Sequence, residues 1–263
     1  MNNILSVKNL SVHFSTEYGT VKAVDNISFG IPLHSSTALV GETGSGKSVT
    51  ALSILNLIDP PGKITNGAII FNNNQNLLSL SENQLQSIRG KEISMIFQDP
   101  STSLNPVLPV GFQVAESLIA HFGYSKEKAL SEAEKILKLV GLPPSTLSQF
   151  PHELSGGMKQ RAMIASALIC KPKLLIADEP TTALDVSIQA EILQLLQQMK
   201  KKFRLSLLLI THDLGIVYEN CDNVIVLNKG QIVEQAKTKS IFSNPKMPYT
   251  KKLLASAKAL SLR

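Results

Sequence analysis

Residues 41–48 read Gly41-Glu42-Thr43-Gly44-Ser45-Gly46-Lys47-Ser48, fit the pattern G-x-x-x-x-G-K-[ST], and lie between two apolar segments, 36–40 and 49–57. Few stretches of eight residues constrain a fold as strongly. A loop that wraps phosphate needs several backbone N–H groups turned inward, and only small residues let the backbone approach that closely. Such a loop leaves a buried strand and enters a helix whose N-terminal amides face the anion. The spacing therefore predicts a strand over 36–40, a helix over 49–57 and a triphosphate between them. Gly41, Gly44 and Gly46 supply the room, and Glu42, Thr43, Ser45 and Val49 complete the contact loop. Lys47 is placed to reach the β- and γ-phosphates, and the Ser48 hydroxyl to ligate Mg²⁺.

The chain has 263 residues, of which 43% are hydrophobic and 17% charged, enough for a sizeable core in one or two domains. Apolar runs are short, as at 207–210, and none approaches the 18 residues that would span a bilayer. The N-terminus lacks a charged region followed by an apolar one, so no secretory signal is expected and any membrane role works through partners. Cys170 and Cys221 stand far apart and outside any CxxC pattern, which predicts reduced thiols. The net charge is +6, carried in good part by Lys237, Lys239, Lys246, Lys251, Lys252, Lys258 and Arg263. No aromatic residues interleave these lysines as a stacking platform requires, so they read as a solvated surface and nucleic acid is not an expected partner.

Residues 7–14 alternate as an edge strand does, and 21–31 read as a second strand closed by Pro32. Further strands are expected over 67–71 and 92–97. From about 107 to 169 the pattern turns helical. There Ala129, Leu130, Ala133, Ile136, Leu137 and Val140 share one face, with Ser125 as N-cap and Gly141 as stop. Strands at 174–177, 207–210 and 223–227 then alternate with helices at 188–202 and 214–219, the pattern of a parallel α/β sheet with a helical block inserted.

Two constellations carry further chemistry. The apolar strand 174–177 ends in Asp178 and Glu179. Buried acids are costly unless they hold a cation or a proton in transit. Behind a phosphate loop, Asp178 suits the Mg²⁺ shell and Glu179 suits polarising the attacking water. Ser155-Gly156-Gly157 opens an Ala-rich helix and forms a second anion site from bare amides. One nucleotide does not need two glycine-rich sites. Two chains packed head to tail do, each completing the other's.

Leu154-Ser155-Gly156-Gly157-Met158 resembles the signature of the ATP-binding cassette (ABC) proteins, and other motifs of that family match in order. Gln98 resembles the Q-loop glutamine that senses Mg²⁺ and the water. Ala183-Leu184-Asp185 resembles the D-loop, with Asp185 an interface residue, a helix cap or both. His212 resembles the switch histidine at the γ-phosphate. Phe14 resembles the aromatic that stacks on adenine, with Tyr18 as the runner-up. The resemblance covers nearly the whole chain. It narrows to the oligopeptide, dipeptide and nickel importer ATPases through 98–106, 152–161 and 244–254, the last containing Pro248-Tyr249-Thr250. Met247 stands where that family usually has histidine, and Ser35-Ser36 where Gly-Glu is common. The chain stops at Arg263 with no cysteine after Cys221, so an iron–sulfur cluster is not expected and the nickel branch gains some weight.

The resemblance implies an α/β fold: a P-loop NTPase (RecA-like) core with an antiparallel β subdomain and an inserted α-helical subdomain. It implies a nucleotide-binding core with β subdomain over about 1–100 and 170–235, a helical signature subdomain over about 101–169, and a tail over about 236–263. The implied function is ATP hydrolysis that energises an inner-membrane importer of small peptides or nickel and metal chelates, with ATP and Mg²⁺ bound. The implied partners are a second, paralogous ATPase, two permease subunits and an extracytoplasmic substrate-binding protein, at the cytoplasmic face of the bacterial inner membrane. The rival readings are a soluble ABC ATPase of translation, repair or cluster assembly, and an exporter ATPase.

Overall fold

The computed structural model describes residues 2–72, 74–182 and 184–261. Ala183 of the D-loop resemblance and the terminal Arg263 lie outside them. The strands are β1 (Asn3–Thr16), β2 (Gly19–Pro32), β3 (Ser36–Val40), β4 (Gly62–Phe71), β5 (Gln75–Asn76), β6 (Ile93–Ile96), β7 (Leu174–Asp178), β8 (Ser206–Thr211), β9 (Asn223–Asn228) and β10 (Gln231–Lys237). The α-helices are α1 (Lys47–Ile54), α2 (Glu82–Ile88), α3 (Pro100–Ser103), α4 (Val110–Phe122), α5 (Lys126–Leu139), α6 (Gly156–Leu168), α7 (Val186–Phe203), α8 (Leu214–Asn220), α9 (Thr238–Ser243) and α10 (Pro248–Ser261). They fall into two compact units, 1–85 with 206–263, and 86–205.

The first unit holds two sets of strands. β2, β1, β4 and β5 pair in that order, antiparallel throughout. This corrects the edge-strand reading of 7–14: β1 is internal, paired with β2 on one side and β4 on the other. Burial along 7–14 does not follow the alternation of the sequence: Lys8 and Asn9 are both exposed and Leu10, Ser11 and Val12 are all buried, where the pairing with β2 and β4 shifts register, and an alternating sequence does not say how many neighbours a strand has. In the second set, β9, β3 and β8 run parallel and β10 closes against β9 in antiparallel sense. Every residue of β3 and β8 is buried. Strands buried on both faces read as continuous apolar runs, and ligands bind beyond their carboxyl ends. Those ends lead into the phosphate loop after Val40 and into His212 after Thr211.

In the second unit β6 and β7 pair in parallel, Ile93 opposite Leu174 and Ile96 opposite Ala177. The helical block separates into α4, α5 and α6, with 3₁₀ turns at Pro144–Leu147 and Pro151–Glu153. Ser125 caps α5 by accepting from Lys128 N–H at 3.3 Å, and Gly141 follows the helix at φ +82°. The buried face is Ala129, Ala133, Ile136 and Leu137. Lys200, Lys201 and Lys202 occupy the last turn of α7, where cations offset the helix dipole.

Candidate active site

The phosphate loop joins β3 to α1 and is built against its own unit. A Cβ on Gly41 would run into the Leu227 carbonyl oxygen and lie 2.7 Å from Ser45 Oγ. Gly46 has φ +103°, and a Cβ there would overlap the Ala23 carbonyl oxygen. Glycine is required at both positions, at the first by close approach and at the second by backbone conformation as well. Gly230 in the β9–β10 turn pins the loop from outside, donating its N–H to Ser45 O at 2.9 Å while its own carbonyl accepts from Asp25 N–H at 2.8 Å. Lys47 is buried, and its ammonium donates to the carbonyls of Gly41 (2.9 Å) and Glu42 (3.0 Å). Within α1 the buried hydroxyls of Thr50 and Ser53 bond back to Gly46 O and Val49 O, at 2.8 and 2.7 Å. These bonds let polar side chains face the core. The helix is shorter than the expected 49–57 and ends at Ile54.

Ser48 is exposed at the start of α1 and Val49 half-buried. His212 is exposed directly after β8, and Asp213 caps α8 by accepting from Gly215 N–H (2.7 Å) and Ile216 N–H (3.3 Å). Phe14 is half-buried on β1, its ring seated where Gly62 of β4 carries no side chain: a Cβ there would lie 2.6 Å from Phe14 Cε1. Tyr18, at the β1–β2 turn, is 98% exposed.

In the second unit Asp178 ends β7, 5% exposed, and Glu179 follows with φ +45°, a left-handed backbone unusual for glutamate. The Thr182 hydroxyl donates to Glu179 Oε2 at 2.9 Å, and Gln98 Nε2 reaches the same oxygen at 3.5 Å. The structure thus brings together Gln98, beyond β6, and Glu179, beyond β7. Thr182 was not singled out in the sequence, although it stands one turn from the glutamate, where a side-chain bond is within reach. Ser155 is the N-cap of α6 and accepts from Met158 N–H at 3.4 Å. A Cβ on Gly157 would press on Ile188 of α7 at 3.1 Å, whereas one on Gly156 would meet only Leu184, at 3.6 Å. Asp185 sits at the N-cap of α7 but makes no capping hydrogen bond with its side chain, which is exposed.

The phosphate loop of the first unit fits the phosphates of a nucleotide. The loop is a backbone cradle that side chains at Gly41 and Gly46 would fill, and the buried Ser45 hydroxyl meets no partner among the described residues. Each unit by itself carries an oxygen of the hard type that Mg²⁺ takes, the Ser48 hydroxyl in the first and the Asp178 carboxylate in the second.

Comparison with known proteins agrees. A family profile described as "ABC transporter" matches residues 24–182. The dipeptide transport ATP-binding protein DppD of Bacillus subtilis is 50% identical over 265 residues, covering 100% of this chain and 79% of that protein. The oligopeptide transport ATP-binding protein OppD of the same organism is 50% identical, covering 99% of this chain and 73% of that protein. Among solved structures, a dimeric post-hydrolysis state of the ATP-binding cassette MJ0796 bound to ADP and Pi superposes with a TM-score of 0.80 at 28% identity, covering 89% of this chain and 98% of that one.

Proposed function

The chain belongs to the ABC transporter family, and we propose that it is the ATP-hydrolysing subunit of an importer of small peptides. The observation that carries this reading is the whole-length identity to peptide-transport ATP-binding proteins, joined to a phosphate loop whose cradle is intact. DppD and OppD both carry peptide names, which moves the reading away from the nickel branch.

The chemistry assigned to each residue follows from its place. Backbone amides of 43–48 and the Lys47 ammonium hold the β- and γ-phosphates, giving up the carbonyls of Gly41 and Glu42 in part as they do so. Ser48, Asp178 and Gln98 would hold Mg²⁺, which when bound would supply positive charge to offset that of the triphosphate. Glu179, steadied by Thr182, takes the proton of the attacking water, and Gln98 orients that water. His212 donates to the γ-phosphate. Transfer of the γ-phosphoryl to water forms one P–O bond and breaks the bond to the β-phosphate, and it depends mainly on positioning and charge stabilisation, which this set supplies without a covalent enzyme intermediate. Phe14 stacks on adenine. Ser155, Gly156 and Gly157 offer amides to the γ-phosphate held by a second ATPase subunit, and Asp185 faces that subunit.

No helix among the described residues is long and apolar enough to cross a membrane. In this reading the permease subunits are partners that the kinship to peptide-transport ATP-binding proteins implies. We place the permease contact at a groove of about 230 Å³ in the second unit, lined in part by Gly90, Met95, Phe97, Gln113 and Met163. Phe97, beside Gln98, is 42% exposed there, an apolar side chain whose burial by a partner would be favourable. The remaining partners in this reading are a paralogous ATPase and an extracytoplasmic binding protein, with the chain at the cytoplasmic face of the inner membrane.

The test is uptake of a labelled dipeptide and of Ni²⁺ by cells lacking only this chain. Dipeptide uptake alone should fail and return with the wild-type chain. Glu179→Gln should bind ATP, lose turnover by at least about 100-fold, and restore nothing. Loss of Ni²⁺ uptake alone refutes the peptide reading, and loss of neither refutes both importer branches.

A further inference from the structure

Pro248-Tyr249-Thr250 has no part in the reading above, yet the structure ties it to the phosphate loop. The Tyr249 hydroxyl accepts a hydrogen bond from the Glu42 N–H at 3.3 Å, across 207 residues of sequence. Glu42 is the residue on which the loop turns. Its carbonyl accepts from Ser45 N–H at 3.1 Å and from the Lys47 ammonium at 3.0 Å. Whatever fixes the Glu42 backbone therefore fixes the rest position of Lys47, the cation assigned to the triphosphate.

Tyr249 is itself held firmly. Pro248 opens α10, where a residue without an N–H costs nothing. Just before it, the Glu234 carboxylate on β10 accepts from Lys246 N–H (2.9 Å) and Met247 N–H (3.1 Å), one on each oxygen. Just after it, Thr250 is 1% exposed and Leu254, one turn on, is 7% exposed, so one face of α10 is anchored in the core. With its two sides clamped, Tyr249 has little freedom, and its hydroxyl is presented to the loop at small entropic cost.

We propose that Tyr249 is a positioning residue for the phosphate loop, which links the start of α10 to nucleotide occupancy. The proposal rests on the ATP-binding reading of the site. By holding the Glu42 N–H, Tyr249 keeps the loop in the shape that receives the triphosphate, and the ordering cost falls before the ligand arrives. Coupling of this kind is reciprocal: nucleotide in the loop must steady α10 in turn.

The test uses the purified full chain, with ADP and a non-hydrolysable ATP analogue as probes. Tyr249→Phe keeps the ring and removes only the hydroxyl, and with it the acceptor for the Glu42 N–H. A neutral hydrogen bond nets about a factor of two to ten in an equilibrium, so both probes should bind more weakly by that factor and KM for ATP should rise with it. The value of kcat should stay within about twofold, because no group that acts in the transition state is lost. Nucleotide should slow amide exchange over 249–254 in the wild type and fail to do so in the variant, while the melting temperature without nucleotide is unchanged. Glu234→Gln, which removes one acceptor from the clamp, should shift binding the same way. Wild-type affinity in Tyr249→Phe, a loss confined to kcat, or a fall in nucleotide-free stability that accounts for the weaker binding would each overturn the proposal. Lys47→Ala separates this failure from the larger one. If it binds ATP as the wild type does, the ATP site itself is misassigned; if it abolishes binding while Tyr249→Phe does not weaken it, only the role of Tyr249 falls.

Discussion

Thr182 offers the sharpest check on how Glu179 is set for its work. Its hydroxyl donates to Glu179 Oε2 at 2.9 Å, and its N–H donates to the Glu179 carbonyl at 3.1 Å. Thr182→Val removes the first bond, leaves the second, and keeps the shape of the side chain. A hydrogen bond to a charged group nets about 1.5–3 kcal/mol when sheltered. Thr182 is exposed, and solvent screening reduces that to about 1–1.5 kcal/mol. If the bond serves to aim the carboxylate at water, this energy is lost from the transition state, and kcat falls by about 5- to 12-fold. The KM for ATP should not move, because Thr182 is assigned no contact with the nucleotide. Steady-state hydrolysis by the assembled transporter, with analogue binding measured alongside, gives both quantities. Thr182→Ser retains the hydroxyl and should recover most of the rate. A valine variant within twofold of wild type, or a serine variant as slow as the valine one, would show that Glu179 needs no such support.

Two further predictions concern the loop and a thiol. Gly46→Ala should weaken binding of an ATP analogue at least about tenfold by calorimetry, since a strained left-handed backbone costs about 1–3 kcal/mol and the new Cβ also meets the Ala23 carbonyl. Gly44→Ala, at φ +78° with nothing within 4 Å of its Cβ, should cost only the backbone part, so equal losses in the two variants would sink the steric argument. Burial pushes the Cys170 thiol up to about 11 from an ordinary value of 9.0, despite the opposing charge of Lys91. In a Cys221→Ala background at pH 8, its alkylation should then run roughly 100-fold slower than that of an ordinary thiol and keep accelerating as pH rises past 9, because the thiolate is the nucleophile. A rate that levels off near pH 9 would contradict that shift.

The parts of the fold that the sequence disclosed are those with a local cause. Ser125 and Gly141 bracket α5 because capping acts over three or four residues. Residues 36–40 and 207–210 read as strands because burial on both faces leaves no polar position. The β10 strand escaped notice for the opposite reason: in Gln231–Lys237 only half-buried and exposed positions occur, so no alternation marks it. Its existence depends on β9, which offers it a partner. The placing of β1 in its sheet fails the same test. Edge and interior strands share one period, and only pairing on both sides separates them.

The candidate site divides along the same line. Gly41, Gly46, Lys47, Asp178, Glu179 and Ser155 are visible because their chemistry sits in one short stretch each. The sequence also shows that glycine stands at 46, but not that the Ala23 carbonyl forbids anything larger. It shows Pro248-Tyr249-Thr250, but not that the tyrosine hydroxyl ends at Glu42. Spacing and composition encode what a residue does to its own turn of chain. They do not encode which distant backbone it meets, because that is set by how β10 and α10 pack after the chain has closed on itself. The Tyr249–Glu42 contact is therefore the kind of functional link that a motif can mark and only a fold can explain. A chain with the same phosphate loop but no clamp at Glu234 should hold its nucleotide more loosely, although its loop motif would read the same.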